Sequence, residues 1–180
     1  MDEHDRLVVH SSSSAVWRTP PKLFAKLAHE GGIEVDVAAS AVSSLCGDYC
    51  YYGPDHHNEA RRDGLTVTWG AAYRAGFMNP PFSRDEGMPI EPWVRKAYQE
   101  SLLCGFTTFG LIPVRTSTKW WNDWVMVADE IRTIPHRVKF LYPDGSEGTS
   151  APFDSCVVVW RPRGGRPSST PPRFFAWDYL

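Results

Sequence analysis

The chain has 180 residues, 42% of them hydrophobic and 22% charged, and a formal net charge of −2. That length fits one globular domain, able to bury roughly 70% of its unfolded surface. No apolar run approaches the ~18–20 residues that cross a membrane, and the charge balance excludes a strongly basic nucleic-acid binder.

The first residues, Met1-Asp2-Glu3-His4-Asp5, are acidic and lack the apolar core of a secretion signal, so a cytoplasmic protein is expected. Residues 1–15, with the Ser11-Ser12-Ser13-Ser14 run, read as a flexible lead-in to a single domain over 16–161. Thr19 is placed to cap a helix that has Pro20 at its first position. Leu23, Phe24, Leu27 and Ala28 form its apolar stripe, and Gly31-Gly32 stop it. A strand is expected over 33–38, apolar apart from Glu34 and Asp36. Residues 41–78 should hold further helix, a strand near 65–68 and a polar loop over 53–64. Within this stretch, Cys46 and Cys50 with His56 and His57 have the residue types of a zinc site. Adjacent histidines chelate one ion poorly, and free thiols in a reducing compartment are the alternative; no metal is expected.

A short apolar strand over 76–78 then delivers Asn79-Pro80-Pro81-Phe82. These residues form a socket for a flat, amino-bearing group. Asn79 offers a side-chain carbonyl, Pro80 has no N–H and leaves only carbonyl oxygen around it, and Phe82 gives a stacking face. Two acceptors match the two hydrogens of an exocyclic amine, so its lone pair can turn toward an electrophile without a strong base. A proline turn closing a strand would use the same residues.

The clearest helix follows, with Pro92 at its start, Val94, Ala97, Tyr98, Ser101 and Leu102 at helical spacing, and Gly105 at its end. A buried strand is expected over 106–112, and then a Trp-rich helix from Thr118 or Asn122 through Val127. Trp120, Trp121 and Trp124 read as packing residues before base-stackers. Two strands, 137–142 and 154–160, are joined by too short a link for a crossover helix and should be antiparallel neighbours. Cys104 and Cys156 read as packing thiols. Residues 162–180 form a basic, Pro-rich tail. Arg161, Arg163, Arg166 and Arg173, with Arg132, His136, Arg137 and Lys139, are either solvated charges or phosphate contacts whose affinity falls with salt.

The outline is an α/β fold: a mostly parallel sheet ending in an antiparallel hairpin. Ligands of open α/β sheets lie beyond the carboxyl ends of strands. Asp36 and Asn79 both fall at such ends, side by side.

The order of segments carries a resemblance. Trp17-Arg18-Thr19-Pro20 with Leu23-Phe24, then Asp36-Val37-Ala38-Ala39-Ser40, then Asn79-Pro80-Pro81-Phe82-Ser83 are followed by Trp93, Lys96-Ala97, Glu100-Ser101, Pro113-Val114-Arg115-Thr116 and Trp120-Trp121. Over about residues 17–160 this resembles the phage-type DNA N6-adenine methyltransferase (Dam-like) family. The resemblance implies a Rossmann-like, S-adenosylmethionine-dependent enzyme that methylates adenine N6 in DNA, encoded by a bacteriophage or prophage and acting in the bacterial cytoplasm. It implies that Asn79, Pro80, Pro81 and Phe82 hold the target amine and base, which is flipped out of the duplex. Trp17, Thr19, Pro20, Asp36, Ala38 and Ala39 would line the cofactor, with Asp63 a further contact or a plain turn residue. Ser83, Arg115, Thr116 and Lys119 would touch DNA, and no obligate protein partner is implied. The chain lacks the Phe-x-Gly-x-Gly of many methyltransferases and carries Phe82 where the family often has Tyr. Cytosine-N4, RNA or protein-glutamine methylation, or an inactive nucleic-acid-binding relative, are the alternatives. With little room for a separate recognition region, specificity should come from loops 53–64, 83–91, 143–152 and the arginine tail, and be short or loose.

Overall fold

The computed structural model describes residues 18–81 and 89–180. The lead-in over 1–15, Trp17, Phe82 and Ser83 lie outside the described residues.

Helix α1, Pro21–Gly31, buries Leu23 and Leu27 one turn apart. Its N-cap is Pro20, with no side-chain cap bond. Thr19 is therefore not the cap that the sequence suggested. Gly32 ends the helix in the left-handed region (φ 59°), returning its N–H to the Ala28 carbonyl, a conformation glycine adopts without a Cβ penalty.

Strand β1 is brief, Val35–Asp36, but its backbone continues to pair. Glu34 N donates to Ala75 O and Val37 N to Phe77 O, while Asp36 N and Ala39 N donate to Cys50 O and Tyr52 O. Segment 50–52 thus lies along the outer side of β1. From there to β2, Ala75–Met78, the chain forms only short turns with single 3-10 turns at Glu59–Arg61 and Trp69–Ala71. The further helix expected in 41–78 and the strand near 65–68 are absent among these described residues. Polar, Gly-rich sequence here satisfies its backbone through turns and side chains: Asp55 accepts from Ala41 N, Asn58 from Ala60 N and Asp63 from Leu65 N.

Helix α2, Glu91–Leu103, has Pro in its first turn and buries Val94 and Ala97. Strand β3 follows, Thr107–Pro113. The expected Trp-rich helix is a single π-type turn, Trp121–Val125. Its tryptophans pack in the core, as the sequence reading preferred.

Among the described residues, five more strands follow, three in the main sheet and two in a small hairpin. β4 is Glu130–Thr133, β5 Lys139–Leu141, β6 Glu147–Ser150, β7 Ser155–Trp160 and β8 Arg173–Ala176. The six-stranded sheet has the order β1-β2-β3-β7-β4-β8. β1, β2 and β3 are parallel; β7 runs antiparallel to both β3 and β4; β8 is parallel to β4. Five strands therefore point one way and β7 the other, so the sheet is mostly parallel. The expected pairing of 137–142 with 154–160 does not form. β5 pairs with β6 in a separate two-stranded sheet, and β7 instead enters the middle of the main sheet. Nor does the segment from residue 162 stand apart, because β8 is the sheet's sixth strand.

Period-two alternation along β7 sends Cys156, Val158 and Trp160 into one core and Val157 and Val159 into the other. The first core also takes Val94 and Ala97 of α2, the second Leu23 and Leu27 of α1. The result is a three-layer α/β arrangement. Each fully buried Val or Leu contributes roughly 1.5–3 kcal/mol.

Candidate active site

Because β1 and β2 are parallel neighbours, with Asp36 in register with Phe77, their carboxyl ends open on the same rim of the sheet. Asp36 to Ala39 leave one strand there, and Asn79 to Pro81 leave the next. The side-by-side placement inferred from sequence is what the register produces.

Asn79 is half-buried, Pro80 buried and Pro81 exposed. The Asn79 amide nitrogen donates to the Thr19 hydroxyl at 3.0 Å. Thr19 is buried, and its neighbour Arg18 is fixed to β5 by two backbone bonds with Leu141, of 3.0 and 2.9 Å. So the small hairpin clamps the entry segment, and that segment holds the amide of Asn79. With the nitrogen engaged, the carbonyl oxygen is the group left to meet a ligand. Pro20 leads into α1 directly behind this pair. Nothing in the sequence pairs residues sixty apart in this way. Only their shared membership of two short motifs hinted at it.

Asp36 is buried, and its carboxylate accepts from Ala38 N at 3.2 Å. Burial pushes its pKa up to about 7, and the Ala38 bond only partly opposes that rise. The Cys46 thiol is likewise pushed up, first by burial and then by the charges of Asp36 and Cys50. Ala38 is half-buried and Ala39 buried.

Two glycines press loops onto this strand end. A Cβ on Gly53 would lie 1.6 Å from the Ala39 carbonyl oxygen. One on Gly64 would lie 2.1 Å from the Val37 carbonyl and 3.1 Å from the Trp93 ring. Gly64 thereby brings Asp63 to the site, where the exposed carboxylate closes a turn with Leu65 N at 2.8 Å.

His56 is buried. Its Nδ1 accepts from Asn58 N at 3.0 Å, and its Nε2 lies 3.3 Å from the Tyr49 carbonyl. Both ring nitrogens are thus held by backbone, and among the described residues no group of three or more His, Cys, Asp or Glu is arranged for a metal.

Arg115, Thr116 and Lys119 follow β3 on the same rim and are exposed. Lys119 pairs with Asp123, and the Arg115 guanidinium lies 5.6 Å from the centre of the Phe153 ring. Lys96, by contrast, is tied to buried Glu100 at 2.9 Å and sits over Trp69. Arg132, read from sequence as part of a basic patch, is buried between Glu30 and Glu130 at 2.5 and 2.7 Å.

Comparison with known proteins identifies the family. The family model described as DNA N-6-adenine-methyltransferase (Dam) matches residues 8–171. A DNA N-6-adenine-methyltransferase of Haemophilus phage HP1 (strain HP1c1) is 29% identical over 139 residues, 77% of this chain and 73% of that protein.

Proposed function

The chain belongs to the DNA N-6-adenine-methyltransferase (Dam) family and is an adenine-specific DNA methyltransferase, and we propose that it uses S-adenosylmethionine and grips a flipped adenine with Asn79, Pro80, Pro81 and Phe82. The observation that carries this reading is the Thr19–Asn79 bond at the carboxyl end of β2, beside the Asp36 loop of β1.

The cofactor's donor chemistry fits these residues. Asp36 uses one short-range backbone bond and keeps acceptor capacity for hydroxyl or ammonium hydrogens. Ala38 and Ala39 are small, and Gly53 brings a second backbone segment close. On this fit Asp36, Ala38, Ala39, Thr19, Pro20 and Asp63 are assigned to the cofactor, within a Rossmann-like sheet, and Trp17 joins them on the family resemblance alone. When bound, S-adenosylmethionine supplies an electrophilic methyl on a sulfonium.

The protein's work is positional. The Asn79 carbonyl oxygen and the carbonyl beside Pro80 accept the two N6 hydrogens. Held so, the N6 lone pair would point out of the ring plane toward the methyl of a bound donor; the N–C bond would form as the methyl–sulfur bond breaks, the donor would leave as a neutral thioether, and the surplus N6 proton would pass to water. Phe82 stacks on the base, and extrusion from the duplex costs a few kcal/mol. Ser83, Arg115, Thr116 and Lys119 contact the DNA strand, with Lys119 released from Asp123 to do so. Incubating DNA with methyl-labelled cofactor and sequencing around the modified base tests this directly. Label in N6-methyladenine supports the reading, and label in another base or none refutes it.

A further inference from the structure

A second site lies on the opposite rim of the sheet. β4 and β8 start there with Glu130 and Arg173, and β7 ends there at Trp160. Between them is a cavity of about 310 Å³ lined by Asp129, Glu130, Arg161, Arg163, Thr170 and Arg173, among others. Nothing in the methyl-transfer reading uses it, and the inference does not rest on that reading.

Its hydrogen-bond accounting is one-sided. Glu130 is buried, and its two oxygens already accept from Arg132 Nε (2.9 Å), Arg161 Nη2 (2.9 Å) and Arg173 Nη2 (2.6 Å), with Arg132 Nη2 ion-paired at 2.7 Å. Four contacts fill the lone-pair sites of a carboxylate. Asp129 Oδ2 accepts from Arg161 N (2.7 Å) and is ion-paired with Arg163 Nη2 (3.0 Å), which donates to the Val127 carbonyl (3.0 Å). Arg163 Nε is buried without a partner. A guanidinium has five N–H donors and no acceptor, so the walls hold spare donors while the acceptors nearby are occupied. The charge balance points the same way. Arg132, Arg161, Arg163 and Arg173 outnumber Asp129, Glu130 and Glu30, which share ion pairs with them.

The geometry points to a phosphate-binding site in this cleft, with Arg161, Arg163 and Arg173 as its donors. A phosphate oxygen is the acceptor that planar guanidinium forks match best. The cavity is at the small end of ligand sites, large enough for a phosphate with part of the sugar attached. The phosphate belongs either to a DNA backbone or to a free nucleotide.

The test is calorimetric titration of the full chain with inorganic phosphate and with adenosine monophosphate, and DNA affinity measured across a salt series. Arg161→Ala/Arg173→Ala should weaken phosphate roughly tenfold or more. Thr170→Asp, an exposed change that keeps every arginine, should weaken it by repulsion even if the double variant folds poorly. Asn79→Ala should leave phosphate binding intact. If the double variant also weakens DNA and lowers the salt slope by about 1 per lost contact, the source is the DNA backbone. If only the free ligands weaken, it is a nucleotide. No phosphate binding by the unaltered chain, or binding unchanged in both variants, overturns the site.

Discussion

The amide of Asn79 donates to the hydroxyl of Thr19 at 3.0 Å, joining two motifs that are sixty residues apart in the chain. This bond fixes which end of the amide faces outward, and it depends on the β5 edge that holds Arg18.

Asn79→Ala should abolish methylation while leaving affinity for the methyl donor nearly unchanged. Single-turnover assays together with cofactor titration measure both. Near-normal turnover would remove Asn79 from its role.

Thr19→Val should lower kcat on the order of 10–100-fold, since a shift of about 1 Å in a reacting group costs about that much. Thr19→Ser keeps the hydroxyl and should recover most of the rate. Equal loss in both variants would show that the methyl, not the bond, matters.

Asp36 makes stability depend on pH. Its pKa rises from 3.8 unfolded to about 7 folded. Between these values the folded chain holds a proton that the unfolded chain has lost, so stability falls as pH rises from about 4 to 7. The loss is at most about 4 kcal/mol, at 1.36 kcal/mol per unit. Denaturant melts of Asp36→Asn should lack this slope.

Glu130 acts in the opposite direction. Burial pushes its pKa up, but Arg161, Arg132 and Arg173 reverse that and hold it at about 2, below the ordinary 4.5. Stability from this carboxylate is complete above pH 4.5 and is lost as pH falls toward 2. Glu130→Gln should cost about 3 kcal/mol at neutral pH and flatten the acid limb of the stability curve.

Gly53→Ala should destabilise by roughly 1–3 kcal/mol or more, because its Cβ meets the Ala39 backbone and not a movable side chain. Cofactor affinity should fall with it. An unchanged melting curve would show that the 50–53 segment yields easily.

Legibility followed from how far a residue's partners lie along the chain. α1, α2, β2 and β3 announce themselves by local apolar spacing and glycine or proline punctuation. β4 does not, because Glu130 and Arg132 look like surface charges in isolation. They are buried only because they neutralise each other with help from Glu30. β8 hides in an arginine- and proline-rich stretch, and its four residues stay exposed on an outer edge. The position of Asn79 at the end of β2 was readable from the local apolar run before it, whereas its partner Thr19 reads locally as a cap and meets it only across the sheet.

Just beyond β8, the Trp177 indole donates to Glu30 at 3.1 Å, while Lys26 reaches the Asp178 carbonyl at 2.5 Å. The first helix is therefore seated by residues that the ribosome supplies about 150 positions later. Docking of the first helix on the sheet is thus completed by contacts of very long sequence separation, the kind that form late in folding.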